Sequence, residues 1–117
     1  MAVSKYSVVE SGNLGLGQAG SIFLDTDGAA KPPTGLVFVA ITFLDDTTFD
    51  SSGGLIAENS ADYVNTEAAA HSGTQSASNG TGGLQIDVSN TFPAGVTIFG
   101  RWTEIDLGTG MVIAYIG

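Results

Sequence analysis

Apolar residues along this chain recur in short blocks without helical spacing, separated by clusters of Gly, Pro, Asp and Ser. No stretch keeps them at three-to-four spacing through three turns, so no amphipathic helix is expected. The nearest approach, Thr66-Glu67-Ala68-Ala69-Ala70-His71, is a short alanine run behind a threonine cap, stopped by Ser72-Gly73. Strand patterns dominate instead. They cover residues 5–9, 21–24, 36–44, 55–57, 63–64, 84–88, 96–103 and 111–116. Residues 36–44 read LVFVAITFL, apolar at both alternating positions, which predicts a strand buried on both sides.

Short strands between Gly-, Pro- and Asp-rich turns predict an all-β fold: a single antiparallel sandwich or barrel over residues 1–117, a jelly roll being one such arrangement. In the C-terminal third, Ile105-Asp106-Leu107 and Met111-Val112-Ile113 flank Gly108-Thr109-Gly110, the pattern of a hairpin with a glycine-containing loop. Alternation over residues 96–103 puts Val96, Ile98 and Trp102 on one face and Thr97, Phe99, Arg101 and Thr103 on the other. Gly100 in mid-strand predicts a bulge or a close backbone approach. Residues 72–83, SGTQSASNGTGG, hold one aliphatic side chain and are expected to form a long mobile Ser/Gly-rich surface loop.

Composition then narrows the function. The 117-residue chain carries 12 acids and 3 bases, a formal net charge of −9. Three cations cannot neutralise a useful run of phosphates, so nucleic-acid binding by counterion release is not expected, nor is adsorption to anionic lipid. The longest apolar run, Leu36 to Ile41, is far short of the ~20 residues of a membrane span. The start, MAVSKYSVVESG, has no signal-peptide core. There is no cysteine, hence no disulfide, thiolate zinc site or thiol nucleophile. Charged residues are only 13% of the chain, against a usual ~25%. Part of the apolar surface is therefore expected to be covered by other copies or by a partner.

Motifs with chemical potential have simpler explanations. Gly15-Leu16-Gly17-Gln18-Ala19-Gly20 matches G-x-G-x-x-G, but a strand pattern follows it where phosphate binding needs a helix, so a glycine-rich turn is expected. Asp25-Thr26-Asp27-Gly28 opens like a calcium loop, yet the twelfth position is Leu36 rather than Glu. Asp45, Asp46 and Asp50 form a second acidic cluster that turn chemistry accounts for. His71 is the single histidine, and with Glu67 alone it has too few ligands for a transition metal. No nucleophile elbow or triad is assembled, so neither enzymatic activity nor a cofactor or metal is expected. Asn79-Gly80-Thr81 is a glycosylation sequon, meaningful only in a secretory route.

Arg101-Trp102 stands out, because Arg and Trp are enriched where interfaces concentrate binding energy; a core tryptophan beside a salt-bridged arginine is the competing reading. The candidate interface residues are Phe99, Arg101, Trp102, Tyr115 and Phe38.

The stretch TFPAGVTIFGRWTEIDLGTGMVIAYIG, residues 91–117, resembles one that recurs in small virion proteins of tailed bacteriophages, especially those of marine bacteria. Residues 41–71 are similar to the same group. The resemblance implies a virion structural component without catalysis, of head-decoration, capsid-fibre or tail-associated type. It implies structural or assembly roles for Pro93, Gly95, Thr97, Gly100, Arg101, Trp102 and Thr103. A net charge of −9 would be repelled by packaged DNA but tolerated outside a shell. The expected role is thus a cement protein on the outer head surface, assembled in the host cytoplasm. Its expected partners are the major capsid protein and further copies of itself, as a trimer on shell symmetry. The alternative is a tail- or fibre-associated module that binds the host surface.

Overall fold

The computed structural model describes residues 19–25, 28–50, 53–59, 63–66 and 85–117. The expected strand at 5–9, most of the glycine motif at 15–20, His71, the sequon and the loop at 72–83 lie outside them, as does all but Thr66 of the alanine run.

The apolar run at 36–44 becomes the central strand of the sheet. Seven strands follow one another along the chain: β1 Ser21–Leu24, β2 Phe38–Phe43, β3 Thr48–Phe49, β4 Leu55–Ala57, β5 Thr97–Ile105, β6 Leu107–Thr109 and β7 Val112–Ile116. Five form one sheet in the order β1-β7-β2-β5-β4, and β3 pairs with β6 in a second. Every pairing is antiparallel. There is no helix among the described residues. The protein is an all-β single domain, a lopsided sandwich in which a five-stranded sheet is faced by a two-stranded ribbon. Among the described strands the large sheet ends at β1 and β4, which do not pair with each other to close a barrel.

Register decides which side chains meet. Residues directly opposite across antiparallel strands point to the same face. The core face carries three rows: Leu24–Val112–Phe43, Ile22–Ala114–Ile41–Ile98, and Ile116–Phe38–Trp102–Ala57. Leu107 and Phe49 on the ribbon join the same buried cluster. At one end of it Phe43, Phe49 and Phe92 interlock. The Phe43 and Phe92 rings stack at 4.9 Å, and Phe49 meets both edge-on at 6.0 and 5.5 Å, the arrangements aromatic rings favour.

A register shift between Phe38 and Ala40 explains the continuous apolar run. The bulge at Val39 lets Phe38 and Ile41 both point into the core, three residues apart, and leaves Ala40 and Thr42 on the opposite face. That second face is not packed as the core is. No residue of β2 is exposed: Phe38, Ile41 and Phe43 are buried in the core, and on the opposite face Ala40 is buried and Thr42 half-buried.

Three expectations change. Residues 105–107 and 111–113 do not form a hairpin, because β6 pairs with β3 while β7 pairs with β1 and β2. The intervening glycines serve a crossing between sheets. Gly110 has φ +104°, and a Cβ there would lie 2.6 Å from the Asp46 carbonyl oxygen. Residues 63–64 are not a strand. Thr66 is not helical, and its backbone N–H donates to the Leu55 carbonyl at 2.8 Å. Residues 85–88 are also irregular, since Asp87 closes a turn: its Oδ1 accepts the Ser89 N–H at 2.8 Å and its carbonyl accepts the Asn90 N–H at 3.0 Å.

Candidate interaction surface

The face of the large sheet turned away from the core is built by the same strands. Where β1, β7, β2 and β5 align, it shows two rows: Phe23–Ile113–Thr42–Thr97 and Ser21–Tyr115–Ala40–Phe99. None of these residues belongs to the core cluster or packs against it. Phe23 is 56% and Phe99 63% exposed, high values for strand phenylalanines. Ala40 is inaccessible, being flanked by its register partners Tyr115 and Phe99. Polar groups on the face satisfy one another: the Thr42 and Thr97 hydroxyls lie 2.9 Å apart. Thr103 Oγ1 donates to the Ile56 carbonyl at 3.3 Å.

Arg101 borders this face on the β4 side. Its Nε donates to Glu58 Oε1 at 2.8 Å and its Nη2 to Oε2 at 3.1 Å, a two-point clamp. The clamp holds the Glu58 carboxyl below the usual carboxylate range and raises Arg101 further, in both cases chiefly through the hydrogen bonds. Both side chains are about half exposed, so the pair contributes little stability. Its effect on the surface is to pair a cation with an anion at that border. On the same outward face, where Glu104 stands opposite Ile56 in the register, Lys31 Nζ lies 3.5 Å from Glu104 Oε1.

The five candidate interface residues divide. Phe99, Arg101 and Tyr115 stand on or beside the outward face. Phe38 and Trp102 are 0% and 1% exposed and sit in the core, which corrects the expectation that they offer surface to a partner. For Trp102 the reason lies in Gly100. The indole lies against the backbone of Gly100, where a Cβ would be 2.8 Å from Cζ2. Its Nε1 donates to the Val64 carbonyl at 2.7 Å. This is the close approach that a mid-strand glycine predicts. Of the other motif residues, Gly95 turns the chain into β5, with its N–H on the Phe43 carbonyl at 2.7 Å.

The sequence reading missed Phe23 and Ile113. Alternation in Ser21-Ile22-Phe23-Leu24 and Val112-Ile113-Ala114 marks two strand faces, but both are apolar, and only the register brings Phe23 and Ile113 into one row with Thr42.

The turn acids have structural duties. Asp46 Oδ1 accepts the Ala94 N–H at 3.0 Å, and Asp106 Oδ1 accepts the Gly28 N–H at 3.1 Å. Among the described residues no three His, Cys, Asp or Glu side chains gather where they would hold a metal ion, and no helix is long and apolar enough to cross a membrane. Comparison with family models, with curated proteins and with solved structures yields no match.

Proposed function

We propose that this protein is a structural component of a virion, a decoration protein on the outer head surface of a tailed phage, acting by protein–protein contact rather than catalysis. The observation that carries the reading is the outward sheet face, on which Phe23 and Phe99 stand exposed, on a chain of net charge −9. Such a division suits a molecule that docks by its oily side and presents acid to solvent. The likeness of residues 91–117 and 41–71 to small phage virion proteins supports the same assignment, and the negative charge disfavours a position against packaged DNA. Its partners are the major capsid protein and other copies of itself. Added contacts between shell subunits would resist internal pressure.

Immunogold labelling of purified particles tests this. Label on head facets is the expected result. Label at the tail end would replace decoration by host-surface binding, and absence from particles would remove the virion reading.

A further inference from the structure

We propose that residues 63–66 act as a guard strap: they close the β4 edge of the large sheet against pairing with a strand of another molecule.

A strand at the end of a sheet presents a row of main-chain donors and acceptors to which a foreign strand can add. β4 ends the large sheet on one side. The Gly54 carbonyl accepts the Asp106 N–H at 2.6 Å, and the Glu58 N–H donates to the Arg101 carbonyl at 2.8 Å, so these residues turn toward β5. Alternation then turns the main-chain groups of Leu55 away from it. β4 reads Leu55-Ile56-Ala57. It has neither a charged residue nor a proline of its own, two of the usual deterrents to strand addition.

The strap supplies the deterrent. Thr66 takes both outward groups of Leu55: its hydroxyl accepts the Leu55 N–H at 2.9 Å, and its own N–H donates to the Leu55 carbonyl at 2.8 Å. A true strand in this place would carry a fresh row of donors and acceptors on its far side. Residues 63–66 are not a strand, and half of this pairing is made by a side chain, so the ladder stops at Thr66. Gly54 makes room for it, since a Cβ there would lie 2.9 Å from Thr66 Oγ1 and 3.0 Å from Thr66 Cγ2. Two further bonds fasten the strap. Trp102 Nε1 donates to the Val64 carbonyl at 2.7 Å, and the Ile86 N–H donates to the Asn65 carbonyl at 2.9 Å. Asn65 is fully buried and Tyr63 packs against the core, so the strap is built into the domain.

The strap would serve this purpose wherever the protein sits, so its test does not involve particles. A second copy is the probe, because it brings the same edge. Sedimentation equilibrium is run in about 1 M NaCl, where a Debye length of ~3 Å leaves the −9 charge little reach. Thr66→Pro removes the N–H and the hydroxyl together, and should associate at a concentration about tenfold or more below that of the native chain. Thr66→Ser keeps both groups and should behave as the native chain does. So should Val112→Ala, which loosens the core on β7 at a fully buried position. Hydrogen exchange locates the contact. In Thr66→Pro the Leu55 amide should exchange fast in dilute solution and slow again as copies pair, while the Phe23 amide on β1 shows no dependence on concentration. Should Thr66→Pro not fold, Thr66→Val, which loses the hydroxyl alone, carries the same comparison. A folded release variant no more associated than the native chain, equal association of Val112→Ala, or concentration-dependent protection at Phe23 in place of Leu55 would overturn the proposal.

Discussion

Trp102 packs its indole on Gly100, two residues earlier in the same strand, with Cζ2 and Cη2 only 2.8 and 2.9 Å from where a Cβ would be. Gly100→Ala would force the ring away and disturb its bond to the Val64 carbonyl. The expected cost is ~1–3 kcal/mol, as for other overpacked sites. Trp102→Phe keeps much of the apolar contact and loses the hydrogen bond, for about 1 kcal/mol. Urea denaturation of both variants followed by circular dichroism checks the order, and a stable Gly100→Ala variant would contradict this packing.

Phe38 and Phe99 belong to the same sheet but to opposite faces. Phe38→Ala removes a fully buried ring and should destabilise by ~3–5 kcal/mol. Phe99→Ala removes a ring that is 63% exposed, and in dilute, monomeric protein should change stability by no more than about 1 kcal/mol. Denaturant midpoints at low protein concentration decide this. Comparable losses would mean that both faces are packed within one chain.

Thr66 holds residues 63–66 to the sheet edge. Its hydroxyl accepts the Leu55 N–H at 2.9 Å and donates to the Leu55 carbonyl at 3.2 Å, both bonds buried. Thr66→Val strands that N–H and should cost ~1–3 kcal/mol, with Thr66→Ser recovering most of it. Amide hydrogen exchange at Leu55 should speed up in the valine variant only.

The Arg101–Glu58 clamp gives a pH signature. Glu58 titrates below the usual glutamate range because it accepts hydrogen bonds from Arg101. A carboxyl lowered in the folded state stabilises above its unfolded pKa, and that contribution is lost as pH falls through the lowered folded value. Carboxyl NMR titration should show the Glu58 midpoint moving up in Arg101→Gln. Asp87, lowered by the Ser89 hydroxyl and then the Ser89 N–H, should not move. A Glu58 midpoint unchanged by the substitution would rule out the clamp in solution.

Much of the strand content was legible because short β-branched and aromatic blocks between turn residues have few other ways to fold. Residues 21–24 and 55–57 read as strands and are β1 and β4, and Gly100 announced a close approach. β3 and β6 were not legible. Thr48-Phe49 and Leu107-Gly108-Thr109 are too short to show alternation, and each is a strand only because the other lies beside it. The irregular path of residues 85–88 was hidden for the converse reason: Asp87 diverts an apolar-looking segment into a turn with its own carboxylate.

From the sequence alone come the fold class, the turns and the acidic balance, since these depend on residue type and local spacing. Which face of each strand turns inward was decided only in three dimensions. When both alternating positions are apolar, a period of two marks two faces without ranking them. The bulge at Val39 and the register that aligns Phe23, Ile113, Tyr115 and Phe99 arise from pairing between segments far apart in the chain, up to the 94 residues between Ser21 and Tyr115. The same pairing drew Phe38 and Trp102 inside and left Phe99 out, because the ribbon of β3 and β6 can cover only one side of the sheet.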